Sequence, residues 1–329
     1  MNDLKKNLGV FALTVLLIII GAELYYRFVN PKVLGNTGSL SYQKWSNQNV
    51  KLNSWGFRDK ERTIKKENPN IKRILVIGPS NIYGQGVTNL EERLSERLEK
   101  KLNENSTTKY EVLNLGTMTL DTIGTSVVLL NNVIQAGLEF DAVVIYYAWN
   151  AIKHIPEIGQ AYIQHKMSHY QEAKPNVIDQ TLSKGSYLYD WVKNVSKDKS
   201  FKIDGKTYTE WHLSFYQNDQ YFQKHIEALQ SINDMVSKQN AKLYLLITAI
   251  SYSEKERQQY ASVREKFLDA LRSSNIAYAD ATQIYNGIPE LDIPVSKYDG
   301  HNKSKYYGDM VNILAPVVLQ DTSLQAAEH

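Results

Sequence analysis

Five apolar runs alternate with helix-patterned stretches along this chain, and that alternation restricts its fold more than any other feature. KRILVIG (72–78) is continuous and closes on glycine, as a strand buried on both faces should. YEVLNLG (110–116), DAVVIYYAW (141–149), KLYLLITAI (242–250) and IAYAD (276–280) follow it. Between the first two, Leu90, Leu94, Leu98 and Leu102 fall on one face of a helix over 90–103. Further helices read over 121–136, 220–239, 255–274 and 304–319. Strands alternating with helices imply a parallel sheet covered on both faces. The expected fold is α/β: a three-layer α/β/α sandwich on a five-stranded parallel sheet.

The 329 residues suffice for one large α/β domain or two small ones, and a hydrophobic fraction of 43% provides for a sizeable core. A net charge of +3 with no dense basic stripe sets nucleic acid aside. The absence of cysteine excludes disulfides, thiolate metal sites, a cysteine nucleophile and an acylated lipoprotein cysteine. Residues 30–70 are polar and read as a linker and lead-in to a domain over 71–320. From about 152 to 215 the alternation stops. That stretch reads either as a lid-like insertion over the strand ends or as a surface elaboration. The tail, 321–329, reads as disordered.

Residues 1–29 carry a second signal. Lys5 and Lys6 precede the apolar run LGVFALTVLLIIIGA (8–22). Continued through Leu24, Tyr25 and Tyr26, the run reaches the roughly 20 residues that a bilayer span requires. Arg27 and the tyrosines suit an interfacial belt, and the lysines place the N-terminal end inside. A membrane anchor is preferred over a cleaved signal peptide, because Ile20 spoils the small-x-small pattern for cleavage after Ala22.

In open α/β sheets, sites form just past the carboxyl ends of the strands. Gly78-Pro79-Ser80-Asn81 follows the first strand, Gly116 ends the second, and Asn150 follows the third. Asp299-Gly300-His301 precedes the last helix. Acyl transfer needs this set. Ser80 is the candidate nucleophile, His301 its base and Asp299 the acid that orients the imidazole. The N–H groups of Ser80 and Gly116 and the Asn150 amide are candidate oxyanion donors. By contrast, Gly84-x-Gly86 is too short for a phosphate loop. His165 and His169 lack a third ligand and read as solvated.

The order Ser80, Gly116, Asn150, His301, each at a strand end, resembles the SGNH (GDSL) hydrolases of the membrane-anchored bacterial type. GPSNIYGQGV stands where these proteins often have GDSxTFGxGV. Asn53-Ser-Trp-Gly-Phe-Arg58 is similar to the NxxGFR segment that leads into the domain in many members, and Arg58 is expected to hold that segment against the domain through a carboxylate. The resemblance implies a flavodoxin-like sandwich and an extracytoplasmic serine esterase or O-acyltransferase, tethered to the bacterial inner membrane. It implies acylated cell-surface or lipid-linked glycan, or another small ester, as substrate, with no metal or organic cofactor.

The sequence departs from the family pattern at Pro79 for the GDS aspartate and at Ala151 for the aspartate after the asparagine. Tyr298 stands at the usual acid position and Tyr306 at a frequent glycine. A D-x-H arrangement like Asp299–His301 occurs in alginate O-acetyltransferase-like relatives. The departures motivate a rival of another class: a weak or inactive domain serving as a glycan-binding or envelope-protein-binding subunit. A nucleotide binder lacks any G-x-G-x-x-G fingerprint.

Overall fold

The computed structural model describes residues 2–29, 39–104, 106–118, 121–172, 177–196, 202–296, 299–321 and 324. The five apolar runs form β1 (Lys72–Gly78), β2 (Tyr110–Gly116), β3 (Ala142–Tyr147), β4 (Lys242–Ile247) and β5 (Ala277–Asp280). All pair in parallel, in the order β2-β1-β3-β4-β5. This is the flavodoxin-like doubly wound order, and its switch point lies between β1 and β3. Ser80 and Asn150 follow those two strands.

Side chains alternate across each strand, so each strand feeds two cores. One face carries Leu75, Ile77, Val143, Ile145, Leu245 and Ile247 under helices Thr122–Gln135, Asp219–Ser237 and Ala261–Ser273. The other carries Ile74, Val76, Val144 and Leu246 under helices Leu94–Asn103 and Lys305–Leu319. Two expected helices differ in extent. The one expected over 90–103 starts at Leu94, because residues 90–92 form a 3-10 turn that leaves Leu90 exposed. The one expected over 255–274 is two helices, Glu254–Gln259 and Ala261–Ser273, broken at Tyr260.

The chain divides into two units. One comprises 51–169, 200–294 and 301–329 and contains the sheet; the other comprises 1–50, 170–199 and 295–300. The stretch expected as one excursion over 152–215 is therefore split. Its flanks are core to the first unit, through Ile152, Ile155, Ile158, Trp211, Leu213 and Tyr216. Only 170–199 belongs to the second. The lead-in is split likewise: Leu40–Asn49 is a helix of the second unit, and 51–70 packs within the first. In the second unit, an apolar helix runs from Asn2 to Leu24 and continues as a π-turn to Val29. Its 26 residues from Leu4 to Val29 are long and apolar enough for a membrane span or a signal sequence.

Behind β3 lies a buried polar seat. Tyr147 Oη is 2.6 Å from both Tyr216 Oη and His225 Nε2. Tyr216 Oη donates to Trp149 O at 2.8 Å, and Trp149 Nε1 donates to Thr248 O at 2.7 Å. These bonds end β3 at Tyr147 and fix the 3-10 helix Trp149–His154 that carries Asn150. Burial pushes His225 well below the ordinary imidazole range, and the neighbouring His154 adds to the depression. Burial also lowers His154, despite its bond to Ala151 O. Burial, then the Lys153 charge, brings His212 down to about 3 against the opposing Tyr208 carbonyl. Each folded-state value lies below the unfolded value of about 6.5. As pH falls below about 6.5 the unfolded chain takes up these protons first, so stability is whole above that pH and declines below it. His212, with its folded value of about 3, costs about 2 kcal/mol by pH 5. Thermal melts should show a Tm that falls from pH 7 to pH 5, less steeply in His212→Gln; an unchanged slope in that variant contradicts the assignment.

Candidate active site

The turn that carries Ser80 is short and tightly wound. Pro79 caps the four-residue helix Ser80–Tyr83, with φ of −77°. Its carbonyl accepts from Ile82 N at 2.8 Å and Tyr83 N at 3.1 Å. Ser80 is the first helical residue, where backbone N–H groups have no intrahelical acceptor. Its side chain reaches the other end of the sequence: Ser80 Oγ lies 2.7 Å from His301 Nε2. The two residues are 221 positions apart, and both are partly buried.

His301 lies on the short strand Asp299–Asn302. The next residue, Asn302, is buried and pins it in place. Asn302 Nδ2 donates to Tyr146 Oη at 3.2 Å, and Asn302 Oδ1 accepts from Tyr252 Oη at 2.6 Å. Tyr307 Oη donates to Asn81 Oδ1 at 3.2 Å, tying the last helix to the residue after Ser80. Asp299 is fully buried. Tyr298 lies outside the described residues. Tyr306 is buried against Tyr285, with ring centroids 5.1 Å apart, and so fills core space in the first turn of the last helix.

Gly116 N–H, expected as an oxyanion donor, donates to Asn114 Oδ1 at 2.9 Å. Its glycine identity has a steric reason instead. A Cβ at residue 116 would sit 2.1 Å from Tyr83 N and 2.5 Å from Ile82 C, so only glycine lets β2 approach the Ser80–Tyr83 turn. Asn114, fully buried, brackets the same approach: its Nδ2 donates to Ile82 O and Ser95 Oγ, both at 2.7 Å.

Asn150 Nδ2 donates to Tyr208 Oη at 3.2 Å, and so does Lys153 Nζ, at 3.0 Å. Asn150 and Lys153 are three residues apart in a 3-10 helix, where i and i+3 eclipse, so one hydroxyl meets both. Lys153 is buried, its ammonium 4.5 Å from the centroid of the Tyr162 ring. Burial raises the Tyr208 phenol above its ordinary range, against its bonds to Asn150 and Tyr162, and so keeps it neutral. One amide N–H is held this way, which fixes the plane of the other. Tyr208 was not found in the sequence because its stretch has no clear period. The i, i+3 spacing of Asn150 and Lys153 was the available signal.

Arg58 does hold the lead-in, through carbonyl oxygens. Asn53 Oδ1 accepts from Trp55 N at 3.1 Å and Phe57 N at 3.0 Å, and Gly56 takes φ of +83°, a left-handed turn that favours glycine. That turn delivers the Arg58 guanidinium to Gly84 O at 2.6 Å and Val87 O at 2.8 Å, just past Ser80–Tyr83. His165 is half-buried, where solvation was expected; the His169 side chain lies outside the described residues. Among the described residues, no group of three or more His, Cys, Asp or Glu could hold a metal ion.

No family model and no curated protein matches the chain. Among solved structures it is similar to a member of the lipolytic G-D-S-L family from Veillonella parvula DSM 2008, at 11% identity and a TM-score of 0.41, covering 77% of this chain and 98% of that one. It is similar to a lipase/acylhydrolase from Enterococcus faecalis at 11% identity and 0.40, covering 78% and 100%. A lipase from a goat rumen metagenome is similar at 12% identity and 0.43, covering 75% and 97%. Likeness at this level decides nothing about chemistry; the side chains do.

Two substitutions test the geometry. Gly116→Ala should displace Ile82–Tyr83 and cost about 1–3 kcal/mol in urea unfolding. A shift of Ser80 near 1 Å should slow its reaction with a serine-directed probe about 10²-fold. Tyr208→Phe should leave the fold intact and slow turnover of an activated ester, because Asn150 loses its fixed plane; full activity in Tyr208→Phe would remove that residue from the site.

Proposed function

We propose that this protein is an SGNH-type serine ester hydrolase or O-acyltransferase, held at the bacterial inner membrane by its N-terminal helix with the sheet-bearing unit outside the cytoplasm. The observation that carries the reading is the 2.7 Å contact of Ser80 Oγ with His301 Nε2 at the switch point of the sheet. Ser80 Oγ attacks the acyl carbonyl while its proton passes to His301 Nε2. Asp299, two residues before His301, orients the imidazole and offsets its charge. Ser80 N–H and the Asn150 amide receive the oxyanion. The intermediate collapses to an acyl-serine, and the departing alkoxide takes the proton from His301. Water, or a sugar hydroxyl, then gives its proton to His301 and attacks the acyl-serine; the Ser80 Oγ–acyl bond breaks, the acid or new ester leaves, and His301 returns the proton to Ser80 Oγ. Hydrolysis and transfer thus use the same residues. Acylated cell-surface or lipid-linked glycan is the proposed substrate class, from the sequence resemblance and the proposed location.

A second reading, a binding subunit for glycan or an envelope protein, is favoured by the commitment of Gly116 N–H to Asn114 and of one Asn150 N–H to Tyr208. Labelling of the purified full chain by a fluorophosphonate separates the two. Wild type should label; Ser80→Ala should not, and His301→Ala should label about 10²–10⁴-fold more slowly. A well-folded wild type that does not label sinks the enzyme and leaves the binding subunit.

A further inference from the structure

The apolar N-terminal helix does not end in a free tether. Glu23, at its last turn, accepts from Ser186 Oγ at 2.8 Å, Tyr187 N at 3.1 Å and Leu188 N at 3.0 Å. It thereby caps the helix Tyr187–Ser196, and it also pairs with Arg27 at 2.8 Å. Arg27 donates to Gly185 O at 2.7 Å, with its guanidinium 4.9 Å from the centroid of the Tyr187 ring. Tyr26 stacks on Trp191 at 4.7 Å between centroids and 24° between planes. Lys44 Nζ donates to Arg27 O, and Asp190 Oδ2 accepts from Leu40 N at 3.2 Å. Residues 185–191 and the helix Leu40–Asn49 are thus fastened to the helix end within one unit.

Depth follows from helix length. At 1.5 Å per residue, Lys6 to Arg27 measures about 32 Å, close to the hydrocarbon thickness of about 30 Å. With Lys6 at one border of the hydrocarbon, Arg27 stands at the other, and whatever is bonded to Glu23 and Arg27 is held at that depth. The residues held there have the composition of an interface: Tyr187, Tyr189 and Trp191 join Tyr25 and Tyr26, as in an aromatic belt. Apolar Tyr187, Leu188, Trp191 and Val192 recur at helical spacing, which makes the segment amphipathic. Around this clamp Phe28, Val29, Leu182 and Val192 are exposed to solvent, Phe28 at 70%.

We infer that residues 182–192 form a membrane-contact collar seated in the headgroup layer of the bilayer, with Leu182 and Val192 at its acyl boundary. The occupant of this surface is phospholipid, by continuity with the spanning helix. The inference rests on the reading that Asn2–Leu24 spans the membrane. Its consequence is a fixed exit for the helix: Glu23 and Arg27 hold the emerging chain to a lipid-seated segment.

The chain has no cysteine, so single labels can be placed without background. Leu16→Cys, Leu182→Cys and Val192→Cys of the full chain would each be spin-labelled in nanodiscs of phosphatidylcholine and phosphatidylglycerol. Collision with oxygen is then compared with collision with a water-soluble nickel complex. Leu16 should be oxygen-dominated, and Leu182 and Val192 should show an oxygen-to-nickel ratio several-fold above that of a label in water. Glu23→Ala should return the Val192 label toward the water value while leaving the Leu16 label deep. A deep Leu16 label with water-like labels at both 182 and 192 overturns the collar alone. A water-like Leu16 label overturns the spanning reading, and the collar with it.

Discussion

The site depends on a backbone approach that admits no side chain. β2 passes so close to Ile82 and Tyr83 that a methyl group at residue 116 would overlap main-chain atoms. Asn114 spans the same gap, giving its amide protons to Ile82 O and Ser95 Oγ while its oxygen takes Gly116 N–H. Buried polar groups are costly unless paired, so this bracket is satisfied on both ends of one side chain. It holds the turn that presents Ser80, and the turn in turn determines where His301 must arrive.

Much of this was legible in the sequence, for identifiable reasons. Strands buried on both faces announce themselves as continuous apolar runs, and β1 and β2 have the boundaries read from those runs. The serine and the histidine were legible from their place in the order Ser80, Gly116, Asn150, His301, and the fold brings the two within 2.7 Å. Gly116 was recognised as important but for a chemical reason, where the structure gives a steric one. A glycine in a string of letters does not say which atoms crowd it. Asn114 was hidden within an apolar run, and Tyr208 in a stretch whose helices bury residues through aromatic contacts without a regular period. The helix Leu40–Asn49 was missed because it buries only Trp45, which leaves no periodic trace.

The seat beneath Asn150 is built from groups that stay neutral. Phenols raised and imidazoles lowered by burial can share hydrogen bonds without paying to desolvate a charge. Lys153 is the cation set among them, shielded by the faces of Tyr162 and Tyr208. Such a seat is rigid because its phenols are tied at short range: Tyr147 Oη to Tyr216 Oη and His225 Nε2 at 2.6 Å, and Tyr216 Oη to Trp149 O at 2.8 Å.

The Arg58 guanidinium carries a lesson about where the folded unit begins. It is presented by the turn at Asn53–Gly56 and grips the loop that closes the Ser80–Tyr83 helix, although it stands 14 positions before the first strand. A fragment cut at that strand would retain every layer of the sandwich and every residue of the proposed chemistry. It would nonetheless lose the clasp on the loop after Tyr83, so the smallest autonomous piece of this unit starts at its turn and not at its sheet.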